Sequence, residues 1–195
     1  MHLTRTDVVD AAVSLLDDYG LADLSMRRLA TSLAVAPGAL YWHVANKQAL
    51  LGAVADRILL RAVARPATAE HWDARLVEIA ESLRDALLSH RDGAEVVAAS
   101  LAARQVGVPI RERLAEPVRA SGLDDADVAP AAQAVLHFVL GATTDEQSRM
   151  QLDSVGALPE SDRPAALDTD AATGFAVGLT LFVDGIRHRV RTLER

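Results

Sequence analysis

Six side chains of the N-terminal part combine positive charge, aromatic rings and hydrogen-bonding groups: Arg27, Arg28, Tyr41, Trp42, His43 and Lys47. Arginine and lysine bind phosphate, while tyrosine and histidine hydrogen-bond to phosphate or to the edges of bases. Aromatic and cationic groups this close together in the sequence predict a surface that contacts nucleic acid.

These side chains must be positioned by local structure, and the sequence predicts two helices joined by a turn. Ser25 is a good N-cap for the first helix, in which Leu29 and Leu33 share one face. Residues 34–36 form the turn. Pro37 suits the first position of the second helix, where its missing N–H has no cost. The pattern is helix, turn, helix.

The second helix is predicted to carry the residues that touch DNA. In a helix-turn-helix unit this helix lies in the major groove and contacts base edges with its N-terminal part, whereas the first helix contacts phosphates. Gly38 and Ala39 have little or no side chain, so nothing bulky projects from the N-terminal end of the helix. The prediction places Tyr41, Trp42 and His43 on this same short helix.

An alternative is that Tyr41 and Trp42 are core aromatics of a small helical bundle. Adjacent residues point in different directions on a helix, and Leu40 and Val44 already supply an i, i+4 apolar pair for the core. We therefore expect at least one residue of the segment 41–43 to contact DNA.

The composition favours an all-α protein without disulfides. Hydrophobic residues make up 50% of the 195 residues, aromatic residues only 4%, and no convincing strand pattern is present. The absence of cysteine excludes disulfides, thiolate metal sites and a cysteine nucleophile. No set of nucleophile, base and orienting group stands out, so an enzyme is not expected.

Neither a signal peptide nor a membrane span is predicted. The N-terminus has acidic groups and no long apolar run, and residues 128–144 are too short and too polar to cross a bilayer. We therefore expect a cytoplasmic protein with no membrane partner.

The charge balance limits the kind of DNA binding. The formal net charge is −7, which argues against a protein that coats nucleic acid nonspecifically. Residues 1–60 hold five basic and six acidic residues, so most of the excess acid lies later in the chain. DNA binding must then come from a local patch.

The hydrophobic pattern predicts one helix before this unit and one after it. Thr4 or Thr6 can cap the first helix, and Gly20 ends it. Its predicted apolar face consists of Val8, Ala12, Leu15 and Tyr19. Asn46 caps the second helix, which runs to about Ala64 and is expected to connect two domains.

Five further helices are predicted. The first begins at Trp72, and the others cover 96–104, 110–120, 128–152 and 170–193. Within the helix 110–120, Pro117 is expected to cause a kink or an early end. Residues 156–170 are rich in Pro, Asp and Ala and are predicted to form a mobile loop.

Gly174 and Gly178 lie one turn apart on the last predicted helix, where each glycine is disfavoured by about 1 kcal/mol relative to alanine. Small residues permit close packing of helices, either within one subunit or, as we favour, between the C-terminal helices of two copies. A twofold dimer would place two DNA-binding units about 34–36 Å apart, which implies a palindromic operator.

Several segments resemble the tetracycline-repressor (TetR) family. They are LYWHVANKQALL (40–51), ALLSHRDGAEV (86–96), HFVLG with DEQ (137–141 and 145–147) and FAVGLTLFVDGI (175–186). The resemblance implies an all-α homodimer, with double-stranded operator DNA and a small-molecule effector as partners. Its predicted parts are an N-terminal three-helix helix-turn-helix DNA-binding domain (1–46), a connector helix (47–64) and a larger helical ligand-binding and dimerisation domain (65–195).

The resemblance also assigns DNA contacts. By position they fall on Arg27, Pro37, Gly38, Ala39, Tyr41, Trp42, His43 and Lys47, and residue chemistry adds Arg28. The tetracycline repressors have a glutamine and a threonine where this chain has Pro37 and Ala39. Since each good bidentate base contact is worth about 1–3 kcal/mol of discrimination, we expect a different operator.

The ligand site departs further from the family. Tetracyclines bind there as a magnesium chelate held by a histidine, and that position is Val97 here. A further histidine and an asparagine that hold the drug fall on Val63 and Ile79. Asp145 keeps the acidic partner, but one carboxylate without its imidazole is a poor metal site. We therefore predict no metal, no cofactor and no binding of magnesium-tetracycline.

The pocket is expected to be mostly apolar, with a few polar groups. The predicted ligand-binding residues are Leu83, Val97, Ser100, Arg104, Leu114, Val135, His137 and Asp145. An alternative is that His137 is a buried histidine whose hydrogen bonds are made within the core. An apolar or amphipathic small molecule is the expected effector.

The expected function is a ligand-responsive transcriptional repressor. The alternative is a constitutive or architectural DNA-binding protein with no effector. Against it, the large acidic second domain is unnecessary for simple coating of DNA.

Overall fold

The computed structural model describes residues 3–157 and 167–193, and the regular elements within these ranges are all α-helices. They are α1 (Arg5–Tyr19), α2 (Met26–Ser32), α3 (Pro37–Leu40), α4 (Lys47–Ala64), α5 (Trp72–Leu88), α6 (Gly93–Ala102), α7 (Ile110–Ala120), α8 (Asp125–Ser154) and α9 (Leu167–Leu193). The prediction of an all-α fold is therefore confirmed. None of these described helices is long and apolar enough to cross a membrane.

The chain packs as two compact units. The first combines Met1–Ala64 with Asp85–Val108, and the second combines Arg65–Arg84 with Pro109–Arg195. Residues 85–108 thus belong to the same compact unit as the N-terminal helices. The division into functional domains at 46 and 64 stays a prediction.

Local signals set both ends of α1. The Thr4 hydroxyl accepts a hydrogen bond from the Asp7 N–H (3.1 Å), and the Asp7 carboxylate accepts one from the Thr4 N–H (2.9 Å), so the two form a capping box. Gly20 follows with a φ of 83°, which glycine adopts without strain. Tyr19 is 49% exposed, so its predicted place in the core is wrong. Its ring instead faces the Arg28 guanidinium at 4.4 Å.

The turn between α5 and α6 packs against the end of α1, which explains why this part of the chain joins the first unit. The Asp17 carboxylate lies 3.1 Å from His90 Nδ1 and accepts a hydrogen bond from the Arg91 N–H (3.2 Å). The Asp92 carboxylate accepts another from the Leu21 N–H (2.7 Å).

α4 and α6 pack together in the first unit. Asn46 Oδ1 accepts a hydrogen bond from the Ala49 N–H (2.9 Å) and so caps α4 as predicted. α6 begins at Gly93, three residues before the predicted start at Val96. Gly93 lies so close to Leu87 that a Cβ there would be 2.4 Å from the Leu87 carbonyl oxygen. This close approach accounts for the glycine.

In the second unit, α7 and α8 form the main helix pair. Pro117 is buried, and α7 continues beyond it to Ala120, so the predicted early end is wrong. The Asp124 carboxylate caps α8 by accepting a hydrogen bond from the Ala126 N–H (3.1 Å). Arg84 of α5 pairs with Glu146 of α8 at 2.7 Å.

All three phenylalanines of the chain meet beside Gly178. The Phe138 ring stacks on Phe175 with 5.4 Å between centroids and lies 5.3 Å from Phe182. A Cβ at Gly178 would lie 2.4 Å from Phe138 Cζ, whereas a Cβ at Gly174 would meet open space. Close packing at Gly178 therefore occurs within one subunit.

The predicted loop at 156–170 lies largely outside the described residues. Its last positions are helical, because α9 begins at Leu167 and not at Asp170 as predicted.

Candidate nucleic-acid interface

α2 and the turn after it present the second helix of the predicted unit. The Ser25 hydroxyl accepts a hydrogen bond from the N–H three residues later (3.2 Å), which confirms the predicted N-cap. Beyond α2, Ala34 has a φ of 54°. The N–H of Ala34 bonds the Thr31 carbonyl (3.1 Å), and that of Val35 bonds the Ala30 carbonyl (3.0 Å). This Schellman pattern closes the helix and reverses the chain without a glycine.

α3 is shorter than predicted. Pro37 occupies the first turn, as expected, but the helix ends at Leu40, so the prediction that residues 41–43 extend it is wrong. The N–H groups of His43 and Val44 both bond the Leu40 carbonyl, at 2.9 and 3.0 Å. A carbonyl shared by two donors marks a tightened last turn, so residues 41–43 form a turn after the helix.

This turn is fixed by buried anchors on both sides and exposes its aromatic rings. Leu40 is fully buried and Val44 is only 4% exposed, which confirms them as the core pair. Tyr41 is 53% exposed and Trp42 is 89% exposed, so the alternative that they are core aromatics is wrong. Buried neighbours therefore hold two adjacent aromatic rings in solvent, where they are available to a binding partner.

The cations around the turn differ in how they are held. Arg27 is exposed on the first turn of α2, and Lys47 is exposed as the first residue of α4. The Arg28 guanidinium pairs with Asp23 at 2.7 Å and lies 4.4 Å from the centre of the Tyr19 ring. Arg28 is therefore pre-oriented, and a phosphate must compete with Asp23 for it.

Asp7, in the first turn of α1, interacts electrostatically with His43 of the exposed turn. Hydrogen bonds from the Thr4 hydroxyl and backbone hold the pKa of Asp7 below its usual value, and the charge of His43 lowers it further. His43 is half-buried at the end of the turn.

The nine predicted DNA contacts lie in the first unit, and each is exposed or half-exposed: Arg27, Arg28, Pro37, Gly38, Ala39, Tyr41, Trp42, His43 and Lys47. A Cβ at Gly38 would meet no atom within 4 Å, so the N-terminal end of α3 has open space on this side. The pairing of Asp23 with Arg28 has no signal in the sequence, because a spacing of five residues across the start of a helix follows no local rule.

The predicted ligand-binding residues are divided between the two units. Val97, Ser100 and Arg104 belong to the first, and Leu83, Leu114, Val135, His137 and Asp145 belong to the second. All four apolar residues of the set are fully buried.

The polar members of that set differ more from expectation. His137 and Asp145 are exposed in the second unit, so the alternative of a buried His137 is wrong. His137 Nε2 lies 2.6 Å from the Gln133 amide nitrogen. Arg104 is exposed, with a φ of 55° after the end of α6. Ser100 is 3% exposed, and its Oγ has no hydrogen-bond partner within the described part of the chain.

No group of three or more His, Asp or Glu side chains within residues 3–157 and 167–193 is arranged to hold a metal ion. The exposed turn and its cations offer hydrogen bonding, stacking and charge pairing with phosphate.

Comparison with known proteins gives matches over most of the chain. Residues 8–54 match the family described as bacterial regulatory proteins, tetR family, and residues 65–190 match tetracyclin repressor-like, C-terminal domain. The Escherichia coli tetracycline repressor protein class D is 39% identical over 176 residues, which cover 86% of this chain and 74% of that protein.

Two solved structures are similar over nearly their whole length. Mycobacterium smegmatis BioQ is 52% identical with a TM-score of 0.86, and the match covers 96% of this chain and 99% of that one. BioQ with its natural double-stranded DNA operator is 50% identical with a TM-score of 0.80, and the match covers 95% and 99%.

Proposed function

The chain belongs to the TetR family of bacterial transcriptional regulators, which bind operator DNA as homodimers, and we propose that it is a ligand-responsive repressor. Its operator is a palindrome. Its effector is a small apolar or amphipathic molecule other than magnesium-tetracycline.

The observation that carries the DNA part of the proposal is the exposed turn 41–43. Trp42 is 89% exposed beside the fully buried Leu40, so the ring is presented by a fixed support. Lys47 and Arg27 add exposed charge on either side. In a homodimer two such surfaces meet neighbouring major grooves, about 34–36 Å apart. BioQ, which is half identical in sequence, binds a double-stranded DNA operator, which supports the same partner here.

The operator is proposed to differ from that of the tetracycline repressors. Pro37 and Ala39 lack the side-chain groups that a glutamine and a threonine offer to base edges. Specificity then comes from Tyr41, His43 and the phosphate contacts, together with the shape of the duplex.

The proposed effector follows from the residues at the predicted pocket positions. Leu83, Val97, Leu114 and Val135 are apolar and fully buried, and Val97 stands where the tetracycline repressors have a metal-binding histidine. Ser100, in the first unit, has a buried hydroxyl without a hydrogen-bond partner within the described residues. Apolar residue types at these predicted positions favour an apolar or amphipathic effector.

The DNA part is tested by selecting bound duplexes from a random library with the purified protein. We expect a palindrome with half-sites about one helical turn apart. Enrichment of no sequence would contradict the proposal and favour a constitutive binder.

The effector part is tested on that palindrome. A compound that raises the melting temperature should weaken operator binding by about five- to 150-fold, the usual range of coupling between sites. A stabilising compound that leaves operator affinity unchanged would contradict the switch. Calorimetric binding of magnesium-tetracycline at micromolar concentration would contradict the proposed ligand class.

Ser100→Ala separates ligand binding from folding. A buried hydroxyl without a hydrogen-bond partner destabilises the ligand-free protein, so the variant should have a melting temperature no lower than that of the wild type. Its affinity for the effector should fall because the hydrogen bond is lost. An unchanged affinity for the effector would show that Ser100 does not contact it.

A further inference from the structure

Arg28 of α2 is held by two side chains from neighbouring parts of the first unit. Its Nη1 donates a hydrogen bond to the Asp23 carboxylate (2.7 Å), and its guanidinium carbon lies 4.4 Å from the centre of the Tyr19 ring. Tyr19 is the last residue of α1, and Asp23 lies in the connection between α1 and α2. Side chains from three pieces of backbone thus meet at one guanidinium. We call these three residues the Arg28 cluster.

The backbone that carries the cluster is anchored by its neighbours. Leu24, next to Asp23, is fully buried, and so is Leu29, next to Arg28. Ser25 Oγ accepts a hydrogen bond from the Arg28 N–H itself (3.2 Å). The side chains of Asp23 and Arg28 therefore start from fixed positions.

The guanidinium keeps donors available to a ligand. Arginine has several N–H donors in a planar fork, and within the part of the chain that the structure describes, Nη1 makes the hydrogen bond of this side chain. The side chains of Arg28 and Asp23 are 41% and 59% exposed, so solvent and ligands can reach them. Nε and Nη2 are then available to a phosphate, which arginine binds through two parallel hydrogen bonds.

Asp23 changes what Arg28 offers to DNA at a distance. A paired arginine and aspartate have no net charge, so together they attract a distant phosphate only weakly. At contact, hydrogen bonds between a guanidinium and phosphate oxygens are strong because both groups are charged. A phosphate therefore competes with Asp23 effectively where the fit of protein and duplex brings it to the remaining donors. Such a fit belongs to the operator complex, whereas loose binding to any sequence depends on net charge.

Tyr19 adds order to the cluster without adding charge. A cation is attracted to the face of an aromatic ring, so the ring restricts the orientations of the guanidinium. A freely moving arginine loses side-chain freedom when it binds a phosphate, and this loss weakens binding. A side chain that is already held loses less.

We propose that Tyr19 and Asp23 are positioning residues for DNA recognition, which orient Arg28 for one operator phosphate and offset its charge toward other DNA. This inference rests on the operator binding proposed above. It accounts for an acidic side chain among the cations of a DNA-binding surface.

The test compares affinities for the selected palindrome and for a scrambled duplex of equal length. Tyr19→Ala should bind the palindrome about fivefold or more weakly, which corresponds to ordering one long side chain in each of two copies, and should bind the scrambled duplex as the wild type does. Tyr19→Phe keeps the ring and should match the wild type on both duplexes. An unchanged affinity for the palindrome in Tyr19→Ala, or an equal loss in Tyr19→Phe, would overturn the proposal.

A double-mutant cycle shows whether Tyr19 acts through Arg28. In a protein that already carries Arg28→Ala, the change Tyr19→Ala should have no further effect on affinity for the palindrome. The same loss with and without Arg28 would overturn the proposal.

Asp23→Asn tests the second positioning residue. The charge of Arg28 is then no longer offset, so the scrambled duplex should bind more tightly, with a salt slope steeper by about 1.8 for two copies. The palindrome should gain less because the orientation of Arg28 is lost, so the ratio of the two affinities should fall. Asp18→Asn makes the same charge change at an exposed position of α1 and should keep the wild-type ratio.

An unchanged ratio in Asp23→Asn, or an equal fall in Asp18→Asn, would overturn the proposal. Exposed ion pairs contribute little to stability, so Asp23→Asn should fold and decides the matter if Tyr19→Ala does not. Failure of the proposed function has a different signature, because the wild type itself would then bind no palindrome.

Discussion

Replacing Lys47 by alanine gives a quantitative test of the proposed DNA surface. Lys47 is exposed at the first position of α4, and Asn46 caps this helix through the Ala49 N–H. Alanine is the best helix former, so the variant should fold as the wild type does. What it loses is a cation that we propose to pair with a phosphate.

The size of the effect follows from counterion release. Each phosphate that is neutralised on duplex DNA contributes about 0.9 to the slope of log affinity against log salt. A homodimer presents two copies of Lys47, so the slope should become shallower by about 1.8. Between about 50 and 200 mM salt, the wild type should then lose about twelvefold more affinity than the variant.

The assay is fluorescence anisotropy of the labelled palindrome at several salt concentrations. Arg61→Ala is the matched control, because Arg61 is an exposed cation of the same helix, about 21 Å further along it. Its slope should match that of the wild type. An unchanged slope in Lys47→Ala, or an equal reduction in Arg61→Ala, would refute the proposed phosphate contact.

Four further outcomes are expected. Trp42→Ala should weaken operator binding without lowering the melting temperature, because the side chain is 89% exposed; a lower melting temperature would place it in the core. Gly178→Ala should destabilise the fold by about 1–3 kcal/mol, because the added Cβ would lie 2.4 Å from Phe138 Cζ. Gly174→Ala should be stabilising within one subunit, so a weaker dimer in sedimentation would place that glycine between subunits. Asp7 has a lowered pKa in the folded state, so its contribution is present above about pH 4 and lost in more acidic solution. Asp7→Asn should therefore flatten the acid side of the stability profile measured by urea unfolding.

The helices were predictable where their ends depend on neighbouring residues. Thr4, Ser25, Asn46 and Asp124 each bond an N–H two or three residues ahead, so a short stretch of sequence contains the whole signal. Pro37 belongs to the same class, because its effect depends only on its position in the first turn.

The predictions were wrong where contacts between separate elements determine the structure. The predicted start of α6 at Val96 is three residues late, because Gly93, which closely approaches Leu87, is already helical. Tyr19 follows the apolar period of α1, yet Arg28 of the next helix holds its ring at the surface. Neither effect is visible in a window of one helix.

The candidate site likewise has features with a local sequence signal and features without one. The exposure of Tyr41 and Trp42 follows from Leu40 and Val44, which occupy the adjacent core positions. The ion pair of Asp23 with Arg28 joins the connection before α2 to the helix itself and has no local sequence signal. The residue types of the surface were thus predictable, whereas the contacts that orient Arg28 required the fold.

The most direct test of the central claim is the ratio of affinities for the selected palindrome and for a scrambled duplex of equal length, at one fixed salt concentration. A dimeric repressor that recognises an operator should prefer the palindrome by about 10³-fold or more. A ratio near one, with binding lost steeply as salt is raised, would show that the protein only coats DNA and would contradict the account.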